Sequence, residues 1–211
     1  MIAHIERETR APGIASFEPD HYAVNLVRRA VTNNQDVLLS ANGLGTILLL
    51  PARGGYWPHV ADMRAFCTLA AAHVQVRTVA PNDPLRPLPS NAGRPIRELL
   101  WEAAFHASDG RLMAGCYRDD VVELLQWPNM TRLPVTPNSI RMAALFARQP
   151  TSLTIARSLL KVEFSELSRF YSAARAAGFA HAVNRKTAEP ELAPHRSQGL
   201  LSALFQRITR L

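Results

Sequence analysis

The spacing of apolar residues along the first 80 residues predicts, in order, a helix, a β-hairpin, a helix and a strand. Apolar residues recur at helical intervals in both predicted helices, whereas VQVRTV alternates, and DVLLS and GTILLL are short apolar runs typical of strands. Asn42-Gly43 separates those two runs and favours a tight turn, because both residues accept a positive φ. The pattern predicts a small sheet with helices on one face. The predicted elements are residues 21–31, 36–40, 45–50, 60–73 and 74–79.

From residue 96 onward the apolar spacing is mainly helical. One apolar stripe that begins at Ile96 predicts a helix ending at Asp109. The paired aspartates of DDVVELLQ, residues 119–126, favour a short helix at that position. A threonine-proline pair at 136–137 is a helix-start signal, and the helix that follows is predicted to run through Arg148.

Residues 151–180 have the outline of a helix-turn-helix. The apolar positions of the second helix fall on one continuous face, and Gly178 is a natural residue to end it. Residues 179–183 are expected to begin a wing strand. The predicted inner positions are Leu153, Ala156, Leu159 and Leu160 in the first helix and Leu167, Phe170, Tyr171, Ala174 and Ala177 in the second.

This segment, taken as residues 136–186, resembles the winged helix-turn-helix superfamily, although its turn lacks the usual small residue. The resemblance implies that the helix after the turn enters the major groove of DNA and that the wing contacts the backbone. Two glutamates near the start of that helix oppose phosphates, yet they also suit the helix dipole. The residues expected to face outward are Glu163, Ser165, Glu166, Ser168, Arg169, Ser172 and Arg175.

Charge is distributed unevenly along the chain. The net charge is +7, and residues 1–130 hold 12 Lys/Arg against 13 Asp/Glu, whereas residues 131–211 hold 12 against 4. A concentrated positive field attracts nucleic acid, anionic lipid or an acidic protein surface. We therefore expect double-stranded DNA to be bound by a basic C-terminal surface. The candidate residues are Arg141, Arg157, Lys161, Arg169, Arg175, Arg185 and Lys186.

Two proline-interrupted segments suggest how the chain is organised. They predict an α+β protein with a small α/β domain at 1–80, a linker at 81–95 and a mainly helical domain at 96–183. The winged-helix-like part occupies residues 136–183 of that second domain. A second linker at 184–198 and an amphipathic tail helix at 199–211 complete the prediction.

The alternative function is that of a protein-interaction adaptor. In ARGGYWPH, glycines bring Arg53, Tyr56 and Trp57 together on a predicted loop, as at many binding surfaces. The other interpretation is that the two aromatic side chains fold back onto the core. The tail helix is expected to dock on a partner, on the chain itself or a copy of it, or on an anionic membrane. Its apolar face carries Leu200, Leu204, Phe205 and Ile208.

Nothing in the pattern indicates an enzyme. No histidine is spaced with another histidine, a cysteine or an acid as metal ligands are, and no serine occupies a GxSxG elbow. The two cysteines form no CxxC pair, and no apolar run approaches the roughly 18 residues of a membrane span. We expect a cytoplasmic, non-enzymatic regulatory protein without a metal or a cofactor.

Overall fold

The computed structural model describes residues 15–88 and 90–185, and these form six α-helices and ten β-strands, so the α+β class is confirmed. The first elements are β1 (Ser16–Phe17), α1 (Ala23–Thr32), β2 (Val37–Ala41), β3 (Gly45–Leu50), β4 (Gly55–Val60), α2 (Met63–Thr68), β5 (Val74–Thr78), β6 (Arg94–Pro95) and α3 (Ile96–Ser108). The others are β7 (Leu112–Met113), β8 (Val121–Leu124), α4 (Ser139–Arg148), β9 (Thr151–Ser152), α5 (Leu153–Leu160), α6 (Phe164–Ala176) and β10 (Ala180–Ala182).

An antiparallel sheet with the strand order β5-β2-β3-β4-β6 forms the N-terminal half. The predicted hairpin is β2–β3, and Gly43 adopts a φ of +76° in its turn. The sequence pattern did not predict β4, because its glycine and its proline are unusual in strands. The second predicted helix is shorter than expected, since β4 extends to Val60 and α2 ends at Thr68.

Alternate residues of this sheet belong to two different apolar clusters. Leu39, Ile47 and Leu49 join the main core, which also includes buried residues of α1, α2 and α3. Leu48 and Leu50 join a smaller cluster with Val79 on the other side. The main core continues without a break into α4, α5 and α6, so the sheet and the C-terminal helices share one hydrophobic interior.

The proline-rich segment, assigned from the sequence to a linker at 81–95, is packed against the sheet. The Arg53 guanidinium donates hydrogen bonds to the backbone oxygens of Leu88 at 3.2 Å and Asn91 at 2.7 Å. It also lies over the Trp57 ring, whose Nε1 donates to Asn91 Oδ1 at 3.0 Å. The segment then forms β6 at the sheet edge and leads directly into α3.

A second antiparallel sheet, ordered β10-β8-β9, lies beside the C-terminal helices. The helix predicted for residues 119–126 is wrong, because that segment forms β8. Val122 and Leu124 are its buried positions, and a strand pairs with it on each side. The strand expected at 179–183 is present as β10, but it pairs with β8, which precedes α4 in the chain. The winged-helix resemblance stays a prediction.

No helix in the described ranges is both long enough and apolar enough to cross a lipid bilayer.

Candidate nucleic-acid interface

The turn between α5 and α6 is built by local backbone chemistry. The Ser152 side chain accepts a hydrogen bond from the Ile155 amide at 3.2 Å and caps the start of α5. Lys161 ends α5 in the left-handed region, with a φ of 52°. The next residue, Val162, is buried and fixes the turn before α6 begins at Phe164. These local signals produce two helices joined by a short turn within residues 151–180, as predicted. Leu159, predicted to be an inner position, is instead 58% exposed.

Helix α6 presents only part of the outward face that the sequence predicted. Glu163 and Ser165 are exposed, whereas Glu166, Arg169 and Arg175 are partly buried. Ser168 and Ser172 are fully buried, and the Ser172 hydroxyl accepts a hydrogen bond from the Met113 amide of β7 at 2.9 Å. Helix α3 packs along this side of α6. Alanines at several positions around α6 allow this close approach, and the sequence pattern had treated serines as exposed because they are polar. This side of α6 cannot enter the major groove of DNA unless α3 and β7 move away.

Glu166 has a structural role that the sequence analysis did not anticipate. Its carboxylate accepts hydrogen bonds from the backbone N and the Nδ2 of Asn138, both at 3.0 Å. Burial by itself raises the pKa of Glu166, but hydrogen bonds from Thr136 and Asn138 outweigh it, and the pKa lies below its usual value. Glu166 thus joins the start of α6 to the start of α4 rather than facing the phosphates of a bound DNA.

The seven predicted DNA-binding residues are distributed over different parts of the structure. Arg169 pairs with Asp109 at 3.3 Å, and Arg185 pairs with the buried Asp120. Arg175 is partly buried on α6, and Lys186 lies outside the described residues. The remaining three, Arg141, Arg157 and Lys161, are exposed and belong to α4, to α5 and to the end of α5.

The exposed flank of α5 borders a surface groove of about 410 Å³, which we call the basic groove. Arg118 enters it from the loop between β7 and β8 and lies over the Phe164 ring at 5.8 Å. No local signal in the sequence identifies Arg118, because only the position of β8 in the middle of the second sheet brings it to α5. Three cations and one carboxylate face the groove, so its field is positive. Its lining residues are Arg118, Thr154, Arg157, Ser158, Lys161, Val162 and Glu163.

Arg141 and Arg148 extend the positive surface along α4. The Arg141 guanidinium donates to the backbone oxygen of Leu160 at 3.0 Å, which fixes it at the C-terminal end of α5. It also donates to the side-chain oxygen of Asn138 at 2.8 Å, and its charge helps to lower the pKa of Glu166. Arg148 is exposed at the last turn of α4. Within the described part of the chain, none of these cations, nor those of the basic groove, forms a salt bridge with a carboxylate.

Of the residues predicted to bind a protein partner, the three that the structure describes, Arg53, Tyr56 and Trp57, do not form a free surface. Tyr56 is fully buried and its hydroxyl donates to Glu102 at 3.2 Å, so the prediction that it contacts a partner is wrong. Arg53 and Trp57 hold the proline-rich segment, as described above. Tyr56 and Trp57 are adjacent on β4, and neighbouring side chains on a strand point to opposite faces, so only Tyr56 enters the core. The tail residues Leu200, Leu204, Phe205 and Ile208 lie outside the described residues.

Within residues 15–88 and 90–185, no group of three His, Cys, Asp or Glu side chains is arranged to hold a metal ion. Comparison with protein-family models, with curated proteins and with solved structures finds no match to this chain. Its function is therefore argued from the geometry of its own residues.

Proposed function

We propose that this protein is a non-enzymatic, regulatory DNA-binding protein that contacts the phosphate backbone through the basic groove and the adjoining cations of α4. The observation that carries the proposal is the convergence of Arg118 with Arg157 and Lys161 of α5 on one exposed groove, although Arg118 is distant from them in the chain. Hydroxyl groups of Thr154 and Ser158 line the same groove, and hydroxyls are common phosphate partners.

Backbone contact, rather than base reading by α6, is the mode that this geometry supports. The side of α6 predicted to face DNA is covered by α3 and β7, whereas α5 presents its basic flank to solvent. Contacts to phosphates position a protein on a duplex but carry no sequence information. We therefore expect duplexes of unrelated sequence to bind with similar affinity.

The proposal is tested by fluorescence anisotropy with a labelled duplex at low salt. Arg157→Gln combined with Lys161→Gln should weaken binding on the order of 10- to 100-fold at about 0.1 M salt, because two phosphate contacts are lost. The matched control removes two exposed cations from the N-terminal sheet and helix, Arg29→Gln with Arg77→Gln, and should bind as the wild type does. Failure of the wild-type protein to bind any duplex at low salt would refute the proposal.

A second candidate function, a protein-interaction adaptor, is favoured by exposed apolar side chains on the same two helices. Ile140 on α4 is 61% exposed, and Ile155 and Leu159 on α5 are 55% and 58% exposed. Ile155 and Leu159 are four residues apart and share one face of α5. If this face binds a protein, Ile155→Ser with Leu159→Ser should abolish recovery of that partner and leave DNA affinity unchanged.

A further inference from the structure

A second cavity lies where α1, α2 and α3 meet α6, and we call it the arginine pocket. Its volume is about 420 Å³, within the range of small-molecule sites. It shares no lining residue with the basic groove. The lining residues that matter for the argument are Tyr22, Arg64, His106, Asp109, Arg111 and Arg169.

One wall of the arginine pocket is rigid. The Arg111 guanidinium donates to the Ala107 backbone oxygen at 2.9 Å and to the Tyr22 hydroxyl at 3.2 Å. It also lies over the ring of Phe17, at 5.7 Å. These contacts hold the Arg111 side chain in the wall. Its charge is permanent, because a guanidinium stays protonated at any ordinary pH. A ligand would therefore meet a preformed cationic surface here.

The other two arginines have hydrogen-bonding capacity to spare. Arg169 lies over the Phe105 ring, and its Nη2 is 3.3 Å from the Asp109 carboxylate. Its Nε is buried and has no hydrogen-bond acceptor among the described residues. A buried donor without an acceptor is destabilising, so a ligand acceptor that reached this atom would be bound favourably. Arg64 is exposed at the rim and free to turn toward a ligand.

The electrostatics of the arginine pocket favour an anion. Three guanidinium groups face a single carboxylate, that of Asp109, whose side chain is 77% exposed. Burial lowers the pKa of His106, and the charges of Arg64 and Arg169 lower it further, while Asp62 acts weakly in the opposite direction. Burial and the two neighbouring positive charges therefore both favour the neutral imidazole.

We propose that the arginine pocket binds a small phosphate-bearing molecule, with Arg64 and Arg169 donating hydrogen bonds to the phosphate oxygens. The planar guanidinium fork matches phosphate geometry, and two or three such groups around one cavity are typical of phosphate recognition. Arg111 supplies a fixed positive charge. When the phosphate binds beside Arg169, it replaces the Asp109 carboxylate, whose side chain rotates toward solvent. The site is separate from the DNA surface proposed above and does not depend on it.

Isothermal titration calorimetry on the full chain tests this proposal with inorganic phosphate, adenosine monophosphate and adenosine. Phosphate and the nucleotide should bind and adenosine should not. Arg64→Gln should weaken binding about tenfold or more, because a charge-assisted hydrogen-bonding pair is lost. Asp109→Asn should strengthen it, since it removes the competing carboxylate while keeping a residue that tolerates the positive φ of 44°. Arg29→Gln, which removes an exposed charge from α1, is the matched control and should change nothing.

A second readout makes the location of the ligand explicit. The pKa of His106, followed by NMR, should rise when phosphate binds, because the anion offsets the neighbouring arginines. An unchanged pKa of His106 at saturating phosphate would overturn the assignment of the site, as would equal binding by wild type and Arg64→Gln. If only duplex DNA shifts His106, the pocket belongs to a nucleic-acid surface and the proposal fails.

Discussion

Replacing Asp120 with alanine removes a buried carboxylate that joins three separate parts of the C-terminal half. Its Oδ2 accepts hydrogen bonds from the Tyr171 hydroxyl of α6 and from the Tyr117 amide, each at 2.9 Å. Its Oδ1 pairs with the guanidinium of Arg185, which follows β10. Asp120 itself leads into β8, the central strand of the second sheet. The substitution therefore loosens the contact between this sheet and α6.

The size of the effect follows from the exposure of each partner. Asp120 is 1% exposed and Tyr171 is fully buried, so their charge-assisted hydrogen bond contributes about 1.5–3 kcal/mol. The Arg185 side chain is 31% exposed and can turn to water, so its pairing adds about 0.2–1 kcal/mol, as for a surface pair. We expect Asp120→Ala to lower the free energy of unfolding by about 2–4 kcal/mol, equivalent to about 4–16 °C in Tm.

Urea denaturation followed by circular dichroism measures this change. Asp119→Ala is the matched control, because the Asp119 side chain is exposed and only its backbone oxygen takes part in a hydrogen bond. It should alter the free energy of unfolding by less than about 0.5 kcal/mol. Asp120→Asn keeps an acceptor for Tyr171 and should fall between the two. Equal stability of Asp119→Ala and Asp120→Ala would show that the buried carboxylate does not stabilise the fold.

Three further variants test other parts of the structure. Gly93→Ala places a Cβ 2.6 Å from the Trp57 ring. Gly43 is a turn glycine of similar φ with open space around it, so Gly43→Ala is the control. Gly93→Ala should lower the free energy of unfolding by about 1–3 kcal/mol more than Gly43→Ala. Burial raises the pKa of Glu102, so the contribution of this side chain to stability is complete below the ordinary pKa of about 4.3 and is lost as pH rises through the raised pKa. Urea denaturation should therefore show Glu102→Gln gaining stability relative to wild type from acid to neutral pH. Glu163→Gln removes a carboxylate from the basic groove and should raise duplex affinity about two- to fivefold in the anisotropy assay.

Local chemistry explains which elements could be predicted from the sequence. The β2–β3 hairpin follows from the Asn42-Gly43 turn between two apolar runs, and α3 follows from one uninterrupted stripe. The helix prediction for residues 119–126 was wrong because aspartates favour a helix start, whereas the adjacent valines favour a strand. Long-range pairing of β8 with β9 and β10 decided the outcome, and no local signal reports it.

The candidate site was harder to predict than the fold. Arg157 and Lys161 lie on the predicted helix-turn-helix and were identified by their charge, but Arg118 is distant in sequence and converges on them only in the folded chain. The sequence also did not indicate that α3 packs on α6, because serine and alanine occur on both solvent-facing and closely packed helix surfaces. Arg169 consequently belongs to the arginine pocket and not to the face of α5.

The salt dependence of duplex binding tests most directly whether α5, rather than α6, carries the DNA contacts. Two double variants each remove two positive charges: Arg157→Gln with Lys161→Gln beside the basic groove, and Arg169→Gln with Arg175→Gln on α6. Each lost phosphate contact should reduce the slope of log K against log salt by about 0.9. We expect a reduction of about 1.8 for the α5 pair and no change for the α6 pair. A reduced slope for the α6 pair together with an unchanged slope for the α5 pair would contradict this expectation.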